Sequence, residues 1–178
     1  MTCELSYCAR HNKSLQPTAK ASAELDVRTH KTTMPSNSFQ LIAACLALVL
    51  LTTAVGALML FTRVKEMRRK RIHPQAASTS VKMASKLENI QPADNFRNLF
   101  EVPVLFYALA SFALATGNVP SWLATGAWLY VLLRVLHSII HCTYNRVYHR
   151  LAVFMASFGL IVAMWVSFFI SLATKSAA

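Results

Sequence analysis

Two short runs of the sequence hold the side chains that could do chemistry. In one, Asp94, Asn98 and Glu101 are spaced four and three residues apart, which puts them on one face of a helix. In the other, Tyr130, Arg134, His137, His141, Tyr144 and Tyr148 follow at alternating steps of four and three, a single polar stripe over about five turns. If the two stripes face each other they enclose a polar cavity, with Arg146 and Arg150 at its rim. Each residue also has a plainer reading. Glu101 can pair with Arg97 one turn away or with Arg134 across the bundle, Tyr130 and Tyr148 can pack, and Arg150 can anchor the chain at the membrane surface. His137 and His141 stand at i and i+4, but there is no H-E-x-x-H pattern and a single nearby carboxylate, so no metal site is expected. Cys142 lies one helical step off the stripe and reads as packing.

The elements that must position these groups are helices in a membrane. Four apolar stretches cover 41–62, 99–116, 122–142 and 151–173. At ~1.5 Å per residue they reach about 27 to 35 Å, enough to cross a hydrocarbon core of about 30 Å. No sustained period-2 alternation supports strands, and a lone open sheet cannot satisfy its backbone in lipid. Ionisable groups at membrane depth cost about 2.5 to 3.5 kcal/mol on insertion scales, so they are expected to face the bundle interior or a wet cavity. Pro120 and Trp122 suit the start of the third span, Gly117 the end of the second, and Pro103 a bend within it.

Composition agrees. With 55% hydrophobic and 14% charged residues, the chain is too apolar for a soluble domain of this length. The net charge of +11 raises nucleic acid as a partner, but the charge is concentrated between the first two spans without interleaved aromatics. There nine Lys and Arg stand against Glu66, Glu88 and Asp94. The positive-inside rule makes this loop, 63–97, cytoplasmic and both termini external, and attraction to anionic head groups explains its charge. Residues 1–38 form a polar tail and 39–175 the membrane domain. The tail has no apolar signal-peptide core. It reads as disordered, or as a stretch ahead of a true initiator at Met34. Cys3, Cys8, Cys45 and Cys142 make no disulfide framework.

At this point the motifs become specific. The runs Asn98-Leu-Phe-Glu101-Val-Pro103-Val-Leu-Phe-Tyr107 and Arg134-x-x-His137-Ser-x-Ile-His141-x-Thr-Tyr144-Asn145-Arg-Val, followed by Arg150, resemble the MAPEG family (membrane-associated proteins in eicosanoid and glutathione metabolism), in its bacterial branch. The resemblance implies an all-α, integral membrane four-helix bundle assembled as a homotrimer in a bacterial inner membrane, with sites between subunits near the cytoplasmic side. It also implies glutathione as co-substrate, held by Asn98, Glu101, Arg134, His137, His141, Tyr144 and Asn145. Arg150 would lower the thiol pKa, and the second substrate would be a lipophilic small molecule arriving from lipid. Asn98 and Glu101 match the end of the family's Arg-Ala-x-x-Asn-x-x-Glu motif, while Asp94 and Asn95 stand where its Arg and Ala would be, reversing a charge that would grip a glutathione carboxylate. Three functions therefore compete: a glutathione-dependent transferase or peroxidase, a non-catalytic lipid-binding or scaffold protein of the same fold, and a small proton-coupled exporter using Glu101.

Overall fold

The computed structural model describes residues 35–72 and 87–177, so the expectations for the stretch up to Met34 and for the middle of the basic loop lie outside the described residues. Five helices follow in order: α1 (Ser36–Arg69), α2 (Gln91–Glu101), α3 (Pro103–Ala115), α4 (Ser121–Cys142) and α5 (Val147–Ser176). Taken with α2 and α3 as one span, Gln91–Ala115, the described residues include four helices long and apolar enough to cross a membrane.

All four expected spans are helical, and three of them run beyond the apolar stretches. Helix α1 is 34 residues long, about 51 Å at ~1.5 Å per residue. Its basic end from Arg63 to Arg69 therefore stays helical past the hydrocarbon. Arg68 and Arg69 in its last turn also suit the negative end of the helix dipole. Pro103 divides the second span: lacking an N–H, it cannot bond back to the carbonyl one turn earlier. The first helix of the span accordingly ends at Glu101 and the next begins at Pro103, with Leu105 N–H bonding Val102 O at 3.1 Å. Gly117 closes α3 at φ +63°. Asn118 N–H reaches Ala113 O and Gly117 N–H reaches Leu114 O, the paired bonds of a Schellman cap.

The packed seam of each helix advances by three and four residues. Buried positions are Leu41, Ala44 and Leu48 in α1; Phe106, Leu109 and Ala113 in α3; Leu123, Ala127 and Tyr130 in α4; and Ile161, Met164 and Phe168 in α5. A mean repeat near 3.5 residues favours left-handed coiling of helices about one another. Helix α4 packs against α1, α2 and α5, and α3 against α1 and α5. Gly126 lets Met164 come close, since a Cβ there would sit 3.2 Å from its sulfur. The outward faces carry Leu50, Phe112, Leu132, Ile139 and Phe169, all exposed, as a surface in contact with lipid requires.

Polar bonds fasten the bundle near both ends. At the α3–α4 end, Lys175 Nζ donates to Asn118 Oδ1 at 2.6 Å and Asn118 Nδ2 to Ser171 Oγ at 3.2 Å. At the basic-loop end, buried Glu66 accepts backbone N–H bonds from Glu88 at 2.8 Å and Asn89 at 3.3 Å. It also pairs with Lys70 at 2.9 Å. This brings the start of the second span back against α1.

Candidate functional site

The site grows out of a change of chemistry along one seam. On α4 the buried positions Leu123, Ala127 and Tyr130 continue without a break as Arg134, His137 and His141. The same periodicity that buries apolar groups in the first half of α4 carries two imidazoles and a guanidinium inward in the second half. Arg134 is 0% exposed and His137 and His141 are 2% exposed. The sequence places Tyr144 and Tyr148 on this stripe too. In the structure both are exposed, because α4 ends at Cys142 and the chain turns before resuming as α5. Tyr144 Oη instead meets His149 Nδ1 at 3.4 Å.

Arg134 is covered by two rings. Its guanidinium carbon lies 5.3 Å from the centroid of Tyr130 and 5.4 Å from that of Phe154. A desolvated cation on an aromatic face gains about 2 kcal/mol, yet a ring does not accept an N–H in the manner of an oxygen. Arg134 interacts with the Tyr130 hydroxyl one turn away, in a geometry short of a well-formed hydrogen bond, and among the described residues the two ring nitrogens of His137 and Nδ1 of His141 have no well-formed hydrogen bond either. Buried polar groups are normally satisfied, and an unpaired one costs about 1 to 3 kcal/mol, more when charged. Arg134, His137, His141 and Tyr130 thus gather a cation and several donors and acceptors in one buried polar cluster.

The rim belongs to the α4–α5 turn. Asn145 adopts φ +44°, a left-handed conformation that asparagine tolerates better than most residues, and its Oδ1 accepts from Arg150 Nη1 at 3.0 Å. The same Nη1 lies 3.4 Å from His141 Nε2. Arg150 is thus steered inward rather than left on the surface. Asn98 from α2, His137 from α4, and Val147, Arg150, Leu151 and Phe154 around the start of α5 line a cavity of about 200 Å³. The lining combines polar and basic groups, Asn98, His137 and Arg150, with apolar ones, Val147, Leu151 and Phe154. Of the candidate residues, the structure brings together Asn98, Arg134, His137, His141, Asn145 and Arg150.

Glu101 does not join them. It is exposed at the last position of α2, and among the described residues it forms no ion pair with Arg97 or Arg134. In its place Asn95, which the polar pattern of Asp94, Asn98 and Glu101 passes over, is fully buried. Its Nδ2 donates to Cys142 Sγ at 3.4 Å and its Oδ1 accepts from Ser138 Oγ at 3.5 Å, which joins α2 to the end of α4. A signal for it exists: Leu99, Val102 and Phe106 are buried, and extending their steps of three and four backwards reaches Asn95. No group of three or more His, Cys, Asp or Glu able to hold a metal stands together among the described residues.

No curated protein and no solved structure matches the chain. The model of the MAPEG family matches residues 41–170, a stretch that contains most of α1, all of α2, α3 and α4, the greater part of α5 and all the residues of the cavity. With four helices able to cross a bilayer, this makes the protein an integral, multi-pass membrane bundle. By its spans, its buried basic stripe and this match over most of its length, the chain belongs to the MAPEG family.

Proposed function

We propose that the chain is a glutathione-dependent transferase or peroxidase acting on lipophilic electrophiles. The observation that supports this most directly is Arg134, wholly buried at membrane depth with no paired carboxylate among the described residues. A bound carboxylate or thiolate supplies what it lacks. Asn98 and His137 offer donors and acceptors for the peptide groups of the tripeptide, and Arg150, held by Asn145, is the cation placed to favour thiolate over thiol. Leu151, Val147 and Phe154 are the apolar lining groups along which an electrophile dissolved in lipid would approach. The thiolate sulfur then bonds to the electrophilic carbon as the leaving group departs with its electron pair or, in an epoxide, as the ring opens and takes a proton. With a hydroperoxide the sulfur takes the terminal oxygen, leaving an alcohol and a glutathione sulfenic acid, which a second glutathione reduces to the disulfide and water. No protein nucleophile takes part.

The size of the cavity bears on assembly. Ligand pockets generally run from about 300 to 1,000 Å³, and about 200 Å³ holds only part of a tripeptide. Exposed Glu101 stands on α2, the same helix that brings Asn98 to the cavity, and an uncovered carboxylate within an apolar span is costly. A homotrimer in which a neighbouring copy covers Glu101 and completes the site meets both requirements. The exporter reading needs a carboxylate inside the bundle, and the position of Glu101 gives it no support. The non-catalytic reading keeps one supporting observation, Asp94 in place of a carboxylate-gripping arginine.

Calorimetric titration of the detergent-purified protein with glutathione tests the proposal. Wild type is expected to bind, Arg134→Gln and Arg150→Ala to lose most of the affinity, and Glu101→Gln to weaken it. Silence at millimolar glutathione would sink the proposal. Binding without thiolate absorbance near ~240 nm, which reports the lowered thiol pKa, would favour the non-catalytic reading.

A further inference from the structure

One aromatic ring stands where the cavity and the buried cation meet. Phe154 lines the cavity, whereas Arg134 does not. The Phe154 ring centroid lies 5.4 Å from the Arg134 guanidinium carbon and 5.9 Å from the ring of His137, which is itself a cavity residue. Tyr130 covers the guanidinium with a second ring at 5.3 Å. Arg134 therefore presents no N–H to the space a ligand would enter, although the cavity wall and the cation share the same phenyl group. That group is only half-buried and stacks on Phe158 at an interplanar angle of 3° with centroids 6.3 Å apart. Its other side packs against the core cluster that holds Ile161, Met164 and Phe168.

We infer that Phe154 is a shutter that sets specificity: its ring closes Arg134 off from the cavity and yields to a ligand bearing an anionic group. An anion in the cavity offers the guanidinium charge-assisted hydrogen bonds, which are stronger than its attraction to a ring. A neutral ligand offers no such exchange and leaves the shutter closed. The inference rests on the proposed glutathione reading for the identity of the anion, but the closure itself is a property of two side chains of this protein.

Labelling with phenylglyoxal, which modifies accessible guanidinium groups, tests it on the full chain in detergent. Modification is quantified by peptide mass spectrometry with exposed Arg146 as internal reference. In wild type Arg134 is expected to react slowly. In Phe154→Ala the rate is expected to rise about tenfold, equivalent to about 1.4 kcal/mol and within the range of a cation–π contact. Phe154→Leu keeps an apolar side chain of comparable bulk but no π face. It guards against failure of the alanine variant to fold, and is expected to speed Arg134 labelling and to tighten glutathione binding, with Arg146 unchanged. If Arg134 reacts equally fast in wild type and in the leucine variant, the shutter is overturned, whatever glutathione does. If labelling behaves as expected and no form of the protein binds glutathione, the shutter stands and the glutathione reading fails.

Discussion

Arg134 couples function and stability in opposite directions. A buried cation without a counter-charge is held at a cost, and replacing such groups by apolar residues of similar volume is often neutral or stabilising by about 1 to 4 kcal/mol. Arg134→Met is therefore expected to raise the thermal midpoint of the detergent-solubilised protein while abolishing glutathione heat in calorimetry. A fall in the midpoint would show that the guanidinium is structural. Asn95→Ala should act the other way. It removes the bond to Cys142 and leaves Ser138 without its acceptor, and it should cost about 1 to 3 kcal/mol, read as a lower midpoint. Most of the buried polar residues around the candidate site were legible in the sequence because ionisable groups in apolar runs stand out. Arg134, His137, His141 and Arg150 need no structure to be noticed. Asn95 was not legible, and Glu101, which the sequence turns inward, stands exposed in the single chain. Polar spacing and apolar spacing on α2 differ by a single position, and following the polar one brings Glu101 inward and leaves Asn95 out.

At the scale of elements, the breaks in the second span and at the two turns do the positioning. Gly117→Ala puts a Cβ into a left-handed conformation, and is expected to lower the thermal midpoint by an amount equivalent to about 1 to 2 kcal/mol without changing ligand binding. Pro103→Ala restores the missing donor and should allow α2 to run on into α3. The expected result is unchanged or higher stability with weaker glutathione affinity, because Asn98 would leave the cavity wall. Equal affinity would show that the break is incidental. The four spans were readable from hydropathy because the bilayer fixes their length. The polar start of α2 was readable from the spacing of Asp94, Asn98 and Glu101, whereas the Arg63–Arg69 end of α1 was not: there Glu66 bonds Glu88 and Asn89, a long-range contact that leaves no trace in the composition. The stripe was carried past His141 by its spacing of three and four, although the apolar span ends at Cys142, where α4 stops.

At the scale of the whole molecule, two expectations from the sequence carry forward as predictions. Short bifunctional cross-linkers applied in membranes should yield a ladder ending at three copies, and Glu101→Arg should shift it towards the single chain. Membrane-impermeant maleimide added to sealed vesicles should reach a cysteine introduced as Arg68→Cys from the cytoplasmic side alone, as nine basic residues between the first two spans demand. The continuous seam of α4 has one more consequence. Since apolar and ionic positions share one repeat, the angular placement of the whole site is set by counting residues from Ser121. Inserting a single alanine between Ala127 and Tyr130 would turn everything beyond it by about 100°, swinging Arg134 and both histidines towards lipid and leaving their chemistry intact but misaddressed. Substitutions at the lipid-facing positions of the first half of α4, such as Trp128 and Leu129, should be forgiven so long as the number of residues stays the same.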